Sequence, residues 1–400
     1  MARLPGPPLW GAALAPRMLR APHTTAQELH RRHGDVVAIG LGPSRYVFLL
    51  GPDANRLILS DRTDAFLWGP ALRALEPVDG PTALVLSDGE DHRRRRRLVQ
   101  PAFASRRIET YEKGMEEEVD RAIDDLVVGS VIDVHATFRR VVRRIVVRAL
   151  FGDSFRERAD ELGDVLEPAM AFADRIPQLQ LPWLPAGRRA RAARAAADRI
   201  VDEEAARPDP GGVLAVLVAS DLSSQEVRDQ VVSLIAAGYD TTSAAVAWAV
   251  YELLRNERWA PGQDLDHVVK ETQRLWPGAA VSARRSVAPV SFRGHEIPAG
   301  TTVLYSPWVT HRMPELWDRP DEFVPERWEQ EPADPYAYVP FGGGYRRCIG
   351  FGLATTELKV VLGRLLERTA FRLRSHDVRP GGVSALRPTG GVWVEVVRRA

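Results

Sequence analysis

The chain has 400 residues, 45% of them hydrophobic, and its 54 basic and 53 acidic side chains leave a formal net charge of +1. That balance gives no electrostatic reason to expect nucleic acid or a charged membrane as partner, and no run of 18 apolar residues offers a membrane span. A single cysteine, Cys348, excludes an internal disulfide and any multi-cysteine metal site.

From the N-terminus, Met1 to Pro8 is proline-rich and lacks the apolar core of a signal peptide. β-Branched and aromatic residues alternate from Val36 to Gly51 around a Gly-Pro-Ser turn at 42–44, the first β-containing region, over about 35–60. Asp64 to Leu86, with Trp68, Pro70, Pro77 and Pro81, reads as irregular. Residues 88–210 read as successive amphipathic helices, interrupted near Pro177, Pro182 and Pro185. Ser223-Ser-Gln-Glu226 is a capping box that opens a helix to about Asn256, roughly 50 Å long at 1.5 Å per residue. It is apolar on several sides and should cross the core. Residues 286–306 read as short strands around Gly294 and Pro298-Ala-Gly300, and a last strand falls at Val392–Val397, inside a third β region at 383–398. With no linker or composition shift dividing the chain, residues 1–400 read as one domain, mainly α with small β-sheets.

Before that last strand lies Phe341-Gly-Gly-Gly-Tyr-Arg-Arg-Cys-Ile-Gly350. A lone cysteine is more often a small buried hydrophobe than a working thiolate. Here the four glycines would let the backbone run close to something large and flat, and Arg346 and Arg347 favour thiolate over thiol. Ala354, Leu358, Val361, Leu362 and Leu365 then mark a helix whose N-terminus would stabilise an anionic sulfur. Such a thiolate can be the axial ligand of a haem iron.

The spacing Phe341-x-x-Gly344-x-Arg346-x-Cys348-x-Gly350 resembles the haem-binding loop of the cytochrome P-450 monooxygenases, a match that chance would give about once in 10⁴ such chains. The resemblance implies haem b ligated by Cys348, with Phe341 packed beneath it and Arg346 on a propionate. The long helix would cross over the haem. Its middle, Ala237-Gly-Tyr-Asp-Thr-Thr242, is rich in poor helix formers, as functional sites often are. Gly238 would leave room for another molecule, and Thr241 could bond back to the preceding turn. The segment resembles the family's acid–alcohol pair, in which Thr241 handles the protons that oxygen activation consumes and Asp240 feeds it from solvent.

Glu271-Thr-Gln-Arg274 and Pro325-Glu-Arg327-Trp328 resemble the family's structural triad, which implies that Glu271, Arg274 and Arg327 form a buried, non-catalytic ion cluster. His92 and Arg96, at i,i+4 in Asp91-His-Arg-Arg-Arg-Arg-Arg97, match the propionate-binding helix, and Arg284 matches the other propionate arginine, with Arg285 competing. The remaining arginines of the run should face solvent, where an acidic electron donor could dock. Leu67, Trp68, Leu84, Val85, Met170, Phe172, Ile235, Ala236, Ala280 and Val281 fall where the family lines its substrate pocket. Only about 15 residues separate the long helix from Glu271, fewer than the family usually has.

The resemblance thus implies a cytoplasmic, bacterial-type monooxygenase without an anchor helix or fused reductase. It would insert one atom of O2 into a lipophilic small molecule, with NAD(P)H electrons arriving through a separate ferredoxin and reductase. Two rivals are a peroxide-driven peroxygenase, against which the Asp240–Thr241 pair argues, and a haem protein that binds a ligand without turnover.

Overall fold

Period-2 alternation places Val47 and Leu49 in one apolar cluster and Phe48 and Leu50 in another, because successive strand side chains point to opposite faces. In the computed structural model, which describes residues 4–7, 15–40, 45–175, 180–375 and 377–400, both clusters belong to the first of two compact units. This unit comprises Met1–Leu72, Lys270–Cys348 and Gly381–Leu386. Its sheet has five strands in the order Val36–Ile39, Tyr46–Leu49, Thr302–Tyr305, Ser282–Ser286, Phe66–Leu67. Tyr46–Leu49 runs parallel to Thr302–Tyr305, and the other neighbours are antiparallel. Val290–Phe292 and His295–Ile297 form a hairpin that turns on Arg293 and Gly294, both at positive φ.

The expected turn at 42–44 lies outside the described residues. The first β region is also shorter than expected. Pro52–Arg56 is helical and Leu57–Asp61 is a π-helical turn, so strand ends at Leu49.

The second unit comprises Arg73–Val269, Ile349–Pro380 and Arg387–Ala400 and is mostly helical. Its principal helices are Gly89–Val99, Glu112–Asp124, Val134–Phe151, Ala159–Ala173, Pro185–Ala205, Ser224–Arg255 and Phe351–Arg368. Of the prolines expected to interrupt helix, Pro177 lies outside the described residues, Pro182 lies between helices, and Pro185 starts a helix rather than breaking one, as suits a residue with no N–H to satisfy. A three-stranded sheet pairs Trp393–Arg399 with Val131–Asp133 and Thr369–Leu373. The strand at 131–133 falls within what the periodicity offered as successive helices only. Between Asp64 and Leu86 no element exceeds four residues, as the prolines foretold.

The central helix Ser224–Arg255 has 32 residues and both halves of its capping box, Ser223 Oγ accepting from Glu226 N–H and Glu226 accepting from Ser223 N–H. Among the described residues no helix is long and apolar enough to cross a membrane.

Candidate active site

The cysteine loop belongs to the first unit. The Cys348 N–H donates to Phe341 O (3.0 Å) and the Arg347 N–H to Gly344 O (3.1 Å), which closes the loop on itself. Gly342 and Gly344 have φ of 67° and 61°. A Cβ on Gly344 would also come within 2.0 Å of Leu59 O. Gly344 is therefore demanded by the turn and by the close approach of the π-helical Leu57–Asp61, a reason that the sequence does not reveal. Cys348 is exposed, two residues ahead of Gly350, the N-cap of Phe351–Arg368.

Behind the loop is a buried ion cluster. Glu271 and Arg274 are each 0% exposed and meet in a bidentate pair, with both N–O distances 2.9 Å. Glu271 also accepts from Arg327 Nε (3.0 Å), Trp328 Nε1 (2.9 Å) and Val324 N–H (2.9 Å). Arg274 spends its other N–H groups on the carbonyls of His311, Pro320 and Glu322. His311, which no sequence pattern singled out, connects this cluster to the segment before the loop. Its Nδ1 donates to Arg274 O (3.0 Å) and its Nε2 accepts from Val339 N–H (2.9 Å). Burial, aided by Arg274, pushes its pKa down to about 3, so it is neutral in this tautomer.

Arg284 is 1% exposed and donates to Ser282 Oγ, Ala283 O and Tyr305 Oη. Its neighbour Arg285 is only partly buried and donates to Thr302 Oγ1. The Arg284 guanidinium lies 3.3 Å from the Trp68 ring centroid, and that of the buried Arg346 lies 4.7 Å from it. Trp68, expected as a pocket residue, is thus the platform on which two cations converge. Leu67 beside it is partly buried; Ala280 joins the Phe48–Trp308 core cluster, and Val281 packs against it.

In the second unit, His92 is 3% exposed and Arg96 partly buried on the helix Gly89–Val99. The rest of the arginine run corrects the sequence reading. Arg95 is buried, donating to Ser87 Oγ (2.5 Å) and to Glu226 Oε1 (2.7 Å). Arg94 pairs with Asp221 and Glu226. Only Arg93 and Arg97 are exposed, and both pair with Glu90. Arg94 and Arg95 thus tie the His92 helix to the capping box of the central helix, a use that five adjacent like charges do not suggest.

From Val231 to Leu253 the central helix is buried except at Leu234, Ala237, Gly238 and Thr241. The spacing i, i+3, i+4, i+7 makes these one stripe, and Leu234 and Ala237 could have been found by counting back from Thr241. Thr241 Oγ donates to Ala237 O (2.8 Å), and the helix stays continuous. A Cβ on Gly238 would meet Val146 at 2.9 Å, so this glycine also serves the packing of two helices.

Asp240 is 4% exposed and paired, at 3.2 Å with Arg139 Nε and 3.6 Å with Arg387 Nη1. Each of these arginines holds a second carboxylate: Arg139 holds Glu167 (2.7 Å), whose side chain is exposed, and Arg387 holds Asp174. Neither arginine was visible in the sequence, since nothing local marks a partner a hundred or more residues away.

Of the remaining candidates, Ile235, Ala236, Phe172 and Leu84 are buried and Val85 partly so. Met170 accepts hydrogen bonds from Tyr239 Oη and, at 3.7 Å, Arg139 Nη2. Burial raises the Tyr239 phenol to about 12, which keeps it a donor.

The family model for "Cytochrome P450" matches residues 4–259 and 265–383. Cytochrome P450 139 of Mycobacterium tuberculosis is 39% identical over 418 aligned positions, covering 93% of this chain and 97% of that protein. Cyclooctatin synthase of Streptomyces melanosporofaciens is 34% identical, covering 94% of this chain and 91% of its own. Among solved structures, the retinoic acid-bound cyanobacterial CYP120A1 superposes with a TM-score of 0.82 at 24% identity, over 92% of this chain and 93% of that one.

Proposed function

This chain belongs to the cytochrome P450 family, and we propose from that premise that it hydroxylates or epoxidises a lipophilic small molecule, with electrons from a separate ferredoxin and its reductase. Family membership brings a haem-thiolate monooxygenase activity, haem b, O2 as co-substrate and NAD(P)H-derived electrons delivered through partners. The residues present fit that group. One exposed thiol stands on a loop closed by its own backbone, and two buried guanidiniums converge on one aromatic ring, a donor set suited to a ligand with carboxylates.

Haem, when bound, supplies the oxygen-activating chemistry. Cys348 Sγ would hold the iron, with Phe341 beneath the ring; Arg284 and Arg346, with His92 and Arg96, would hold the propionates. Asp240 would pass protons taken up through the Arg139–Glu167 and Arg387–Asp174 pairs, and Thr241 Oγ would present them. The ionisable Asp240 preceding Thr241 in the sequence, the acid–alcohol pair, favours this reading over the peroxide-driven one. The name of cyclooctatin synthase, a relative over nearly the whole length, supports a biosynthetic role for that oxidation. The exposed Arg347, with Arg93 and Arg97, would meet an acidic electron donor.

The observation that carries the reading is Cys348, the sole cysteine, exposed at the head of the closed loop. Reduced protein with carbon monoxide should give the strongly red-shifted Soret band of thiolate-ligated haem. Cys348→Ala should abolish it; a band that survived would refute the assignment.

A further inference from the structure

A second buried carboxylate on the central helix, Asp229, has no part in the chemistry above. It is 2% exposed. Its Oδ2 accepts from both the backbone N–H (3.0 Å) and the hydroxyl (2.6 Å) of Thr82, and its Oδ1 accepts from Arg194 Nη2 (2.6 Å). Arg194, on the helix Pro185–Ala205, also donates to Val78 O (2.7 Å) and to Asp198 (2.8 Å). Next to Asp229, Gln230 Nε2 donates to Thr82 O (2.8 Å). The stretch Val78–Thr82 is therefore gripped at both ends, from two helices, through one ion pair. Gly80 lies between the grips at φ 80°, and a Cβ there would come within 2.0 Å of Asp229 Oδ1. The chain runs on directly to Leu84 and Val85, the candidate pocket wall.

The grip contains a weakness. Asp79 is 6% exposed, hydrogen-bonded to Ser233, and faces both Arg194 and Asp229. One arginine thus serves three aspartates, Asp198, Asp229 and Asp79. The other elements packed here bring no compensating charge. Arg73 and Glu76 are exposed, and the carboxylates of Ala159–Ala173 pair with Arg139, Arg143, Arg144 and Arg158.

We infer that Asp229, Arg194 and Asp79 form a latch on Val78–Thr82 that governs how readily bulky ligands enter the pocket. The gating part rests on the pocket reading of Leu84 and Val85; the latch itself does not. Burial, opposed by Arg194, raises the Asp79 carboxyl to about 7, whereas a solvated one ionises near 3.8. The closed latch holds a proton that the open one releases, so opening becomes easier as pH rises from about 4 to about 7 and then levels off.

The test uses the haem-loaded full chain. It combines hydrogen exchange of the peptide over residues 76–87 with association rates of imidazole and of a bulky azole at the haem. Asp229→Asn keeps the shape and removes the charge. It should speed exchange about tenfold or more and speed the bulky azole severalfold, and change imidazole by less than about twofold. Unchanged exchange would overturn the latch. Faster exchange with an unchanged azole rate would overturn the gating. Exchange corrected for its intrinsic pH dependence should rise several tens of fold between pH 5 and 7 in the wild type, and stay flat in Asp79→Asn. A wild type without that slope would remove Asp79 from the latch. The carbon monoxide spectrum, recorded in parallel, reads Cys348 alone, so a failure of the thiolate assignment would be seen separately.

Discussion

Glu271 and Asp240 are both buried carboxylates between two arginines, yet they are built differently. Glu271 has five donors between 2.9 and 3.0 Å, and its arginines are themselves saturated by backbone carbonyls. Every polar group in that cluster is satisfied from within, so loss of one member leaves the others as buried, uncompensated charge. Asp240 has two longer contacts, at 3.2 and 3.6 Å, and each of its arginines is shared with a second carboxylate nearer solvent. The first arrangement has one low-energy state. The second can exchange partners at small cost, which suits the proton-passing role proposed for Asp240. The comparison separates a rigidly partnered carboxylate from an adaptable one where burial alone does not.

The sharpest way to break that contrast is Glu271→Ala. It should cost about 3–5 kcal/mol and release haem, measured by denaturant unfolding and haem retention. A variant that keeps both would place Glu271 with the adaptable carboxylates.

Asp240→Asn should do the reverse. We expect haem binding and folding close to wild type, with turnover slowed about 100-fold, because amides do not carry protons. If turnover is unchanged, proton supply bypasses Asp240.

Acid should next expose the rigid cluster through His311. Its folded pKa of about 3 lies below the unfolded value of 6.5, so its stabilising contribution is complete above about pH 6.5 and declines as pH falls towards 3. At pH 5 this one group should remove about 2 kcal/mol. His23 and His135, both depressed to about 4 chiefly by burial, act in the same direction. Unfolding titrations at pH 7.5 and pH 5 should show the loss, and His311→Asn should be weaker at pH 7.5 yet less sensitive to acid. Equal acid sensitivity in the two proteins would mean that His311 is not the titrating strut.

The smallest effect on stability belongs to Thr241→Ala. Its hydroxyl makes one back-bond to Ala237 O at a partly exposed position, so we expect a change within about 1 kcal/mol. The consequence should appear in coupling instead, with NAD(P)H still consumed, product reduced and hydrogen peroxide released. Coupling as tight as wild type would transfer the role from Thr241 to ordered water or a substrate hydroxyl.

The sequence by itself determined the features that depend on neighbours along the chain. The capping box at Ser223, the helix that follows it, the Glu271–Arg274 pair and the Phe341–Gly350 loop all rest on spacings of a few residues, which backbone geometry converts directly into position. Tertiary structure alone decided who meets whom across the fold. It turned Arg94 and Arg95 from a solvent face towards Glu226, set Trp68 against Arg284 and Arg346, gave Asp240 its arginines, and placed His311 between Arg274 and Val339. It also gave Gly344 its reason, the Leu59 carbonyl, nearly 300 residues away. A charge run or a glycine carries the same local signal whether it faces water, a ligand or another helix. Only the packed neighbours, which fix desolvation and the available partners, separate those outcomes.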